Sequence, residues 1–181
     1  MDKGADNYLR FLNGDKDGFT RLVEEYTNGL ILFINCIVGD IHIAEEAADE
    51  TFLKLYLKKP RYKSEYSFKT WLYTIGKNTA LNYVKKYKKS AWSPIEDYYY
   101  ISDDTDIEAE YIKSEENKQL HQVISKLKKE YAQVLYLIYF EGLNNTETAN
   151  VMGRSKEQIS VLIHRAKNAL KAELKQGEQH E

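Results

Sequence analysis

The sequence predicts an all-α chain of two small helical domains, a three- to four-helix N-terminal bundle and a C-terminal helix-turn-helix domain, joined by an acidic linker. Three observations carry this reading. Apolar residues recur at three- and four-residue steps through most of the chain, with no β-type alternation beside them. Two prolines and nine glycines in 181 residues leave few helix breakers. Near the C-terminus, two capping-box patterns flank a glycine.

The elements follow in order. Phe19, Leu22, Val23, Tyr26, Leu30, Phe33, Ile34 and Ile37 form the stripe of a long helix, with Asp15 or Asp17 as its cap and Gly39-Asp40 as its end. The segment IHIAEEAADETFLKLYLKK sets Ile43, Ala47, Ala48, Phe52, Leu55 and Tyr56 on one side. Its acids Glu45, Glu46, Asp49 and Glu50 fall on or near the other, and Pro60 ends the helix. After the polar stretch RYKSEYS, a third helix from about Phe68 turns Phe68, Trp71, Leu72, Ile75, Thr79 and Tyr83 inward and finishes in KKYKK. Residues 91–116 combine Pro94, a tyrosine run and dense acids without periodicity, and read as a linker. It separates a domain at 1–90 from one at 117–175, with a tail at 176–181. The period returns through Leu120, Val123, Ile124, Leu127, Tyr131, Val134, Leu135, Ile138 and Tyr139 up to a stop at Gly142. A unit of about 60 residues buries only about 60% of its unfolded surface, so this second domain has to be a tight helical one.

The segment LNNTETANVMGRSKEQISVLIHRAKNAL has helix-turn-helix grammar. Asn144 with Glu147, and Ser155 with Gln158, mark two helix starts eleven residues apart, and Gly153 stands where the first helix must stop. The second helix buries Ile159, Ile163, Ala166 and Leu170. That leaves Lys156, Gln158, Ser160, Val161, His164, Arg165 and Lys167 over the rest of its surface, where its N-terminal half can enter a major groove.

Charge is unevenly placed. The net charge of −2 divides into −7 over residues 1–50, +10 over 51–92, −8 over 93–117 and +3 over 118–181. The +10 block is interleaved with Tyr56, Tyr62, Tyr66, Phe68, Trp71, Tyr73, Tyr83, Tyr87 and Trp92, joining phosphate-neutralising charge to flat faces on which unpaired bases stack. The −8 segment, tethered between two such modules, is suited to lie over the +10 surface in the free protein. Within it Asp103, Asp104, Asp106, Glu108 and Glu110 are the acids that would do so.

Several other chemistries find no support. The lone Cys36 gives neither a disulfide nor a zinc cluster, which fits a reducing compartment and a buried thiol. His42, His121, His164 and His180 share no ligand spacing, and GKNT at Gly76 lacks the P-loop's first glycine, its place being held by Trp71. SDDTDIEAE lacks the EF-hand glycine. No cofactor, metal or catalytic residue is expected. The N-terminus lacks a signal-peptide core and no apolar run reaches the roughly 18 residues of a membrane span, so the expected address is cytoplasmic.

Three segments resemble one family. FKTWLYTIGKNTALNYVKKYKK, through Trp71, Leu72, Tyr73, Ile75, Asn78 and Tyr83, resembles the promoter-melting and −10-recognition helix of sigma-70 factors of the extracytoplasmic function (ECF) group. IAEEAADETFLKLY resembles that family's polymerase-docking helix, and LKKEYAQVLYLIYFEGLNNTETANVMGRSKEQISVLIHRA its −35-recognition domain. The resemblance runs over roughly residues 15–175 in family order. It implies a non-enzymatic initiation factor that binds bacterial core RNA polymerase and directs it to promoters; the alternative is a helix-turn-helix regulator that binds its operator unaided.

The resemblance also implies roles. Glu46, Asp49, Glu50, Phe52 and Leu53 would dock on the clamp of the polymerase's largest subunit, with the C-terminal domain on the flap of the second-largest. Lys63, Ser64, Glu65 and Tyr66 of the loop, with Phe68 and Trp71, would receive an unstacked base, while Asn78, Asn82, Lys85 and Lys86 hold strand and backbone. Trp71 is a core residue or a base platform, and both readings stand. Arg154, Ser155, Lys156, Gln158, Ser160, His164 and Arg165 would meet the −35 element, unless Arg165 pairs with a carboxylate of its own domain. An anti-sigma factor is a further expected partner. The sequence departs from the family at Asp49, Asn82 and Lys128, and at Glu157, Gln158, Ser160 and Leu162 in the recognition helix. Groove-facing side chains specify bases, so the last four bear on which −35 sequence is read rather than on the class of function.

Overall fold

The computed structural model describes residues 2–90, 111–112 and 114–178. Among them are eight helices: α1 (Lys3–Leu12), α2 (Lys16–Val38), α3 (Ile41–Lys58), α4 (Phe68–Ser90), α5 (Glu115–Ile124), α6 (Lys129–Tyr139), α7 (Asn145–Met152) and α8 (Lys156–Glu178). The first four form the N-terminal bundle and the last four the C-terminal domain.

Short polar side chains set the helix starts. Asp15, rather than Asp17, caps α2 by accepting from the Asp17 N–H, and Asp40 caps α3 by accepting from the N–H groups of His42 and Ile43. Asp15 also pairs with Arg10 at 2.6 Å, which ties α1 to α2. That hydrogen bond holds the Asp15 carboxyl below its usual range. α1 is the fourth helix of the bundle. It buries Tyr8 and Phe11 against the others while leaving Leu9 exposed.

The periodic run from Leu120 to Tyr139 is two helices rather than one. After α5, Lys126 and Leu127 donate to the carbonyls of Val123 and Ile124, three residues back, and this tightened turn carries Leu127 into the core before α6 begins. The C-terminal end of the predicted linker is also structured. The Tyr111 hydroxyl donates to the Glu45 carboxylate on α3, Ile112 is buried, and Ser114 caps α5. Glu115 and Glu116 of the predicted linker form the first turn of α5, while its other acids, with their expected pairing with the +10 surface, fall at 91–110 and lie outside the described residues.

The two domains pack together. α6 lies on α2, and α7 lies against α4. Among the described residues no helix is long and apolar enough to cross a membrane.

Candidate nucleic-acid interface

The loop between α3 and α4 has anchored ends and an open tip. Lys59, with φ of 43°, turns the chain out of α3 and sets its ammonium 5.0 Å from the centre of the Phe11 ring. The Tyr8 hydroxyl donates to the Pro60 carbonyl at 2.6 Å, and the Tyr62 hydroxyl to the Tyr66 carbonyl at 2.5 Å. Ser67 Oγ accepts from the Thr70 N–H and starts α4. Lys63, Ser64, Glu65 and Tyr66 are left exposed at the tip.

Two aromatics named as base receivers sit further in. Phe68 is fully buried, ringed by Tyr8, Tyr26, Tyr62 and Trp71 with centroids 5.5–5.7 Å away, so it is a core residue and offers no face to a base. Trp71 is half-buried between Tyr8 and Tyr62, at 5.3 and 5.2 Å. Farther along α4, Asn78, Asn82, Lys85 and Lys86 are exposed at helical spacings of four, seven and eight residues, which places them on one face.

The C-terminal domain reaches this surface. Ser67 Oγ donates to Glu147 Oε1 at 3.0 Å, and the other oxygen of Glu147 accepts from the Asn144 N–H that it caps. Lys69 Nζ donates to the Glu141 carbonyl at 3.0 Å and pairs with its carboxylate at 3.3 Å; that side chain is only 10% exposed. Gly29 of α2 lies against this contact, where a methyl group would crowd the ends of the Glu141 and Tyr73 side chains. Burial first, and the charge of Glu141 second, push the Tyr73 phenol well above its ordinary range. Lys77 of α4 lies beside the turn at Gly153, and burial together with the nearby Arg154 guanidinium holds its pKa below the ordinary lysine value.

α7, the turn and α8 form a helix-turn-helix as the spacing predicts. Both capping boxes close in both directions: Asn144 with Glu147, and Ser155 with Gln158. Gly153 takes the left-handed conformation with φ of 63°. α8 buries Ile159, Leu162, Ile163, Ala166 and Leu170, leaving Arg154, Ser155, Lys156, Gln158, Ser160, Val161, His164 and Arg165 exposed. The polar groups of Ser155 and Gln158 are already engaged in the cap, Ser160 donates to the Lys156 carbonyl, and His164 contacts Asn168 at 3.3 Å. The carboxylate pairing considered for Arg165 falls instead to Arg154, which meets Glu130 at 3.0 Å.

On α3, Glu46 and Asp49 are exposed and Glu50 is half-buried. Lys54 pairs with Glu50 at 2.6 Å and holds its carboxyl below the ordinary range. Phe52 is buried edge-on against Phe19, so it supports this face from beneath rather than presenting itself to a partner. The exposed apolar side chains are Leu53 at 54%, Tyr56, and Leu57 at 68%. Leu57 escaped the sequence reading because it lies one residue off the core stripe. Among the described residues no three His, Cys, Asp or Glu side chains come together as a metal-binding group.

Comparison with known proteins bears on this geometry directly. Residues 22–90 match sigma-70 region 2, and residues 117–170 match sigma-70 region 4. Over 170 residues the chain is 31% identical to the RNA polymerase sigma-H factor of Pseudomonas aeruginosa, covering 89% of this chain and 88% of that one. The chain belongs to the sigma-70 family. It groups with ECF sigma factors, being 25% identical to ECF RNA polymerase sigma factor SigW of Bacillus subtilis over 90% of this chain and 91% of that one. The fold agrees with the sigma factor RpoE of Bartonella quintana, solved in complex with the anti-sigma factor NepR, at a TM-score of 0.62 and 20% identity. That comparison covers 87% of this chain and 96% of that one. As an ECF sigma factor the protein is a transcription initiation factor, and the reading as a stand-alone operator-binding regulator is not favoured. The region 2 match ends at the last residue of α4, and the region 4 match takes in α7, the turn and α8 as far as residue 170. α1 lies outside both matches.

Proposed function

We propose that three surfaces divide the work of initiation. The exposed acids Glu46 and Asp49, with Glu50 beside them and Leu53 and Leu57 as apolar anchors, dock α3 on the clamp of the largest subunit of core RNA polymerase. The tip Lys63–Tyr66 receives an unstacked −10 base, with Tyr66 as the stacking face, while Asn78, Asn82, Lys85 and Lys86 follow the strand. The exposed face of α8 reads the −35 element, with Lys156, His164 and Arg165 the groove-facing candidates and the C-terminal domain contacting the flap. These surfaces sit on a region 2 unit at 1–90 and a region 4 unit at 117–175. The protein works in the cytoplasm by binding alone, with no cofactor, and is held in check by an anti-sigma factor, a reading supported by the RpoE–NepR pair.

The observation that carries the proposal is the coexistence, in one sigma-70 chain, of an exposed polar-aromatic loop tip over a basic helix and a doubly capped helix-turn-helix. Transcription by bacterial core RNA polymerase from a pool of promoter fragments, with and without the protein, tests it. Selective transcripts that need the protein and vanish with Leu53→Asp support the docking surface. Selective transcription undisturbed by Leu53→Asp and Leu57→Asp together would refute it.

A further inference from the structure

The loop expected to receive the −10 base is held by a helix that lies outside both family matches. Asp2 sits at the start of α1 with its two carboxylate oxygens divided between elements. Oδ1 caps α1 through the Ala5 N–H at 3.2 Å, and Oδ2 accepts from the Phe68 N–H at 2.6 Å. Phe68 is the first residue of α4, so the base-receiving loop runs directly into an N-terminus capped twice, by Ser67 within its own chain segment and by Asp2 from α1. A carboxylate there also meets the positive end of the helix dipole. Two turns along α1, the buried Tyr8 hydroxyl donates to the Pro60 carbonyl at the loop's other end. Burial raises that phenol to about 12, so it remains a donor at any physiological pH. Between these anchors Gly4 lets α1 approach closely: a methyl group there would stand 2.6 Å from the Phe68 ring.

α1 therefore grips both ends of the loop, and Asp2 and Ala5 line one cavity with Ser64, Glu65 and Tyr66 of its tip. We infer that Asp2 and Tyr8 are positioning residues for −10 recognition, acting by fixing the two ends of the loop so that Lys63–Tyr66 meets DNA in one geometry. The inference rests on the proposed role of that tip. A loop held only at its α4 end would sample many tip positions, and each wrong one lowers the fraction of protein able to capture the base.

The test uses holoenzyme made from core polymerase and the full chain, on a promoter selected by the wild-type protein. Open-complex formation is measured on that promoter, on a version with one −10 base replaced, and on a version with one −35 base replaced. Tyr8→Phe keeps the ring and removes only the donor. Asp2→Ala removes both acceptors, and Asp2→Asn restores one uncharged acceptor. Each hydrogen bond lost should lower the −10 preference about three- to tenfold. The −35 preference and the affinity for core polymerase stay at wild-type values, and Asp2→Asn recovers part of the loss. Wild-type −10 preference in both Tyr8→Phe and Asp2→Ala overturns the inference. So does an equal loss of −10 and −35 preference, which marks a merely structural role. A wild-type holoenzyme with no −10 preference refutes the role of the tip itself, a separable outcome.

Discussion

The two surfaces proposed to face DNA are built by opposite means. The helix-turn-helix is specified locally: two capping boxes, one left-handed glycine and the stripe Ile159, Ile163, Ala166, Leu170 all lie within one short segment. The loop and α4 surface is specified at long range. Its ends are held by Asp2 and Tyr8, some sixty and fifty residues upstream, and its first turn is touched by Glu147 and Glu141, some eighty and seventy downstream. The difference also separates their states. The exposed face of α8 is open to a groove, whereas Ser67, Lys69 and Lys77 are engaged by the other domain. On the proposed function, freeing Ser67, Lys69 and Lys77 for a DNA strand would require the domains to part.

The largest effect on this contrast should come from Gly29→Ala. Within α2, exchanging glycine for alanine favours the helix by about 1 kcal/mol. The added methyl group nevertheless runs into the Glu141 carboxylate, and such overpacking disfavours the docked arrangement by about 1–3 kcal/mol. The variant should keep its helix content while its radius of gyration in small-angle scattering rises above the wild-type value and binding of the free protein to promoter DNA tightens. An unchanged radius with unchanged DNA affinity would mean that the interface yields without opening.

A smaller effect is expected from the ion pair beneath it. Glu141→Ala removes the carboxylate facing Lys69, and because Lys69 keeps about a third of its exposure the loss should be about 1–2 kcal/mol. Lys69 also donates to the Glu141 carbonyl, which the substitution leaves in place. In a denaturation cycle with Lys69→Ala the two changes should therefore couple by at least about 0.5 kcal/mol, and additive behaviour would assign the docking to apolar packing of α6 on α2.

The same contrast explains what was legible in the sequence. Capping boxes, the Gly153 turn and the helix stripes depend on neighbours within four residues, and the pattern shows them. Burial by a remote partner leaves no local trace. The sequence places Phe68 correctly on the inward face of α4 yet cannot say that Tyr8 and Tyr62 close over it, so it also served as a base receiver. Phe52, expected on the docking surface, is buried for the same reason, with Phe19 of α2 against it. α1 does carry a short stripe that escaped the sequence reading, with Tyr8 and Phe11 buried and Ala5 and Leu12 packed beside them, and its hydrogen bonds to a loop fifty to sixty residues away leave no local trace. The single run predicted from Leu120 to Tyr139 hid a break because Leu127 stays apolar through the turn.

On the helix-turn-helix side, Ser155 sharpens the comparison. It was a candidate for the −35 element, but its Oγ accepts from the Gln158 N–H and its own N–H donates to Gln158 Oε1. Ser155→Ala should therefore lower the stability of the C-terminal domain by about 1 kcal/mol while leaving the order of preference among −35 sequences unchanged. A reordered preference at wild-type stability would return Ser155 to the groove.

Arg154 gives the smallest expected change in stability and the clearest division between folding and binding. Its pair with Glu130 is largely exposed on both sides, and surface pairs of this kind contribute about 0–1 kcal/mol. Arg154→Gln should hardly move thermal unfolding. If the guanidinium exchanges Glu130 for a phosphate on promoter DNA, the same substitution should reduce the slope of log affinity against log salt by about one unit, without altering base preference. Glu130→Gln is the matching control: it releases Arg154 from its partner without removing the charge, so DNA binding should hold or tighten. If instead Glu130→Gln weakened DNA binding as much as Arg154→Gln does, the pair would be setting the turn between α7 and α8, and the recognition helix would depend on a contact beyond its own capping boxes after all.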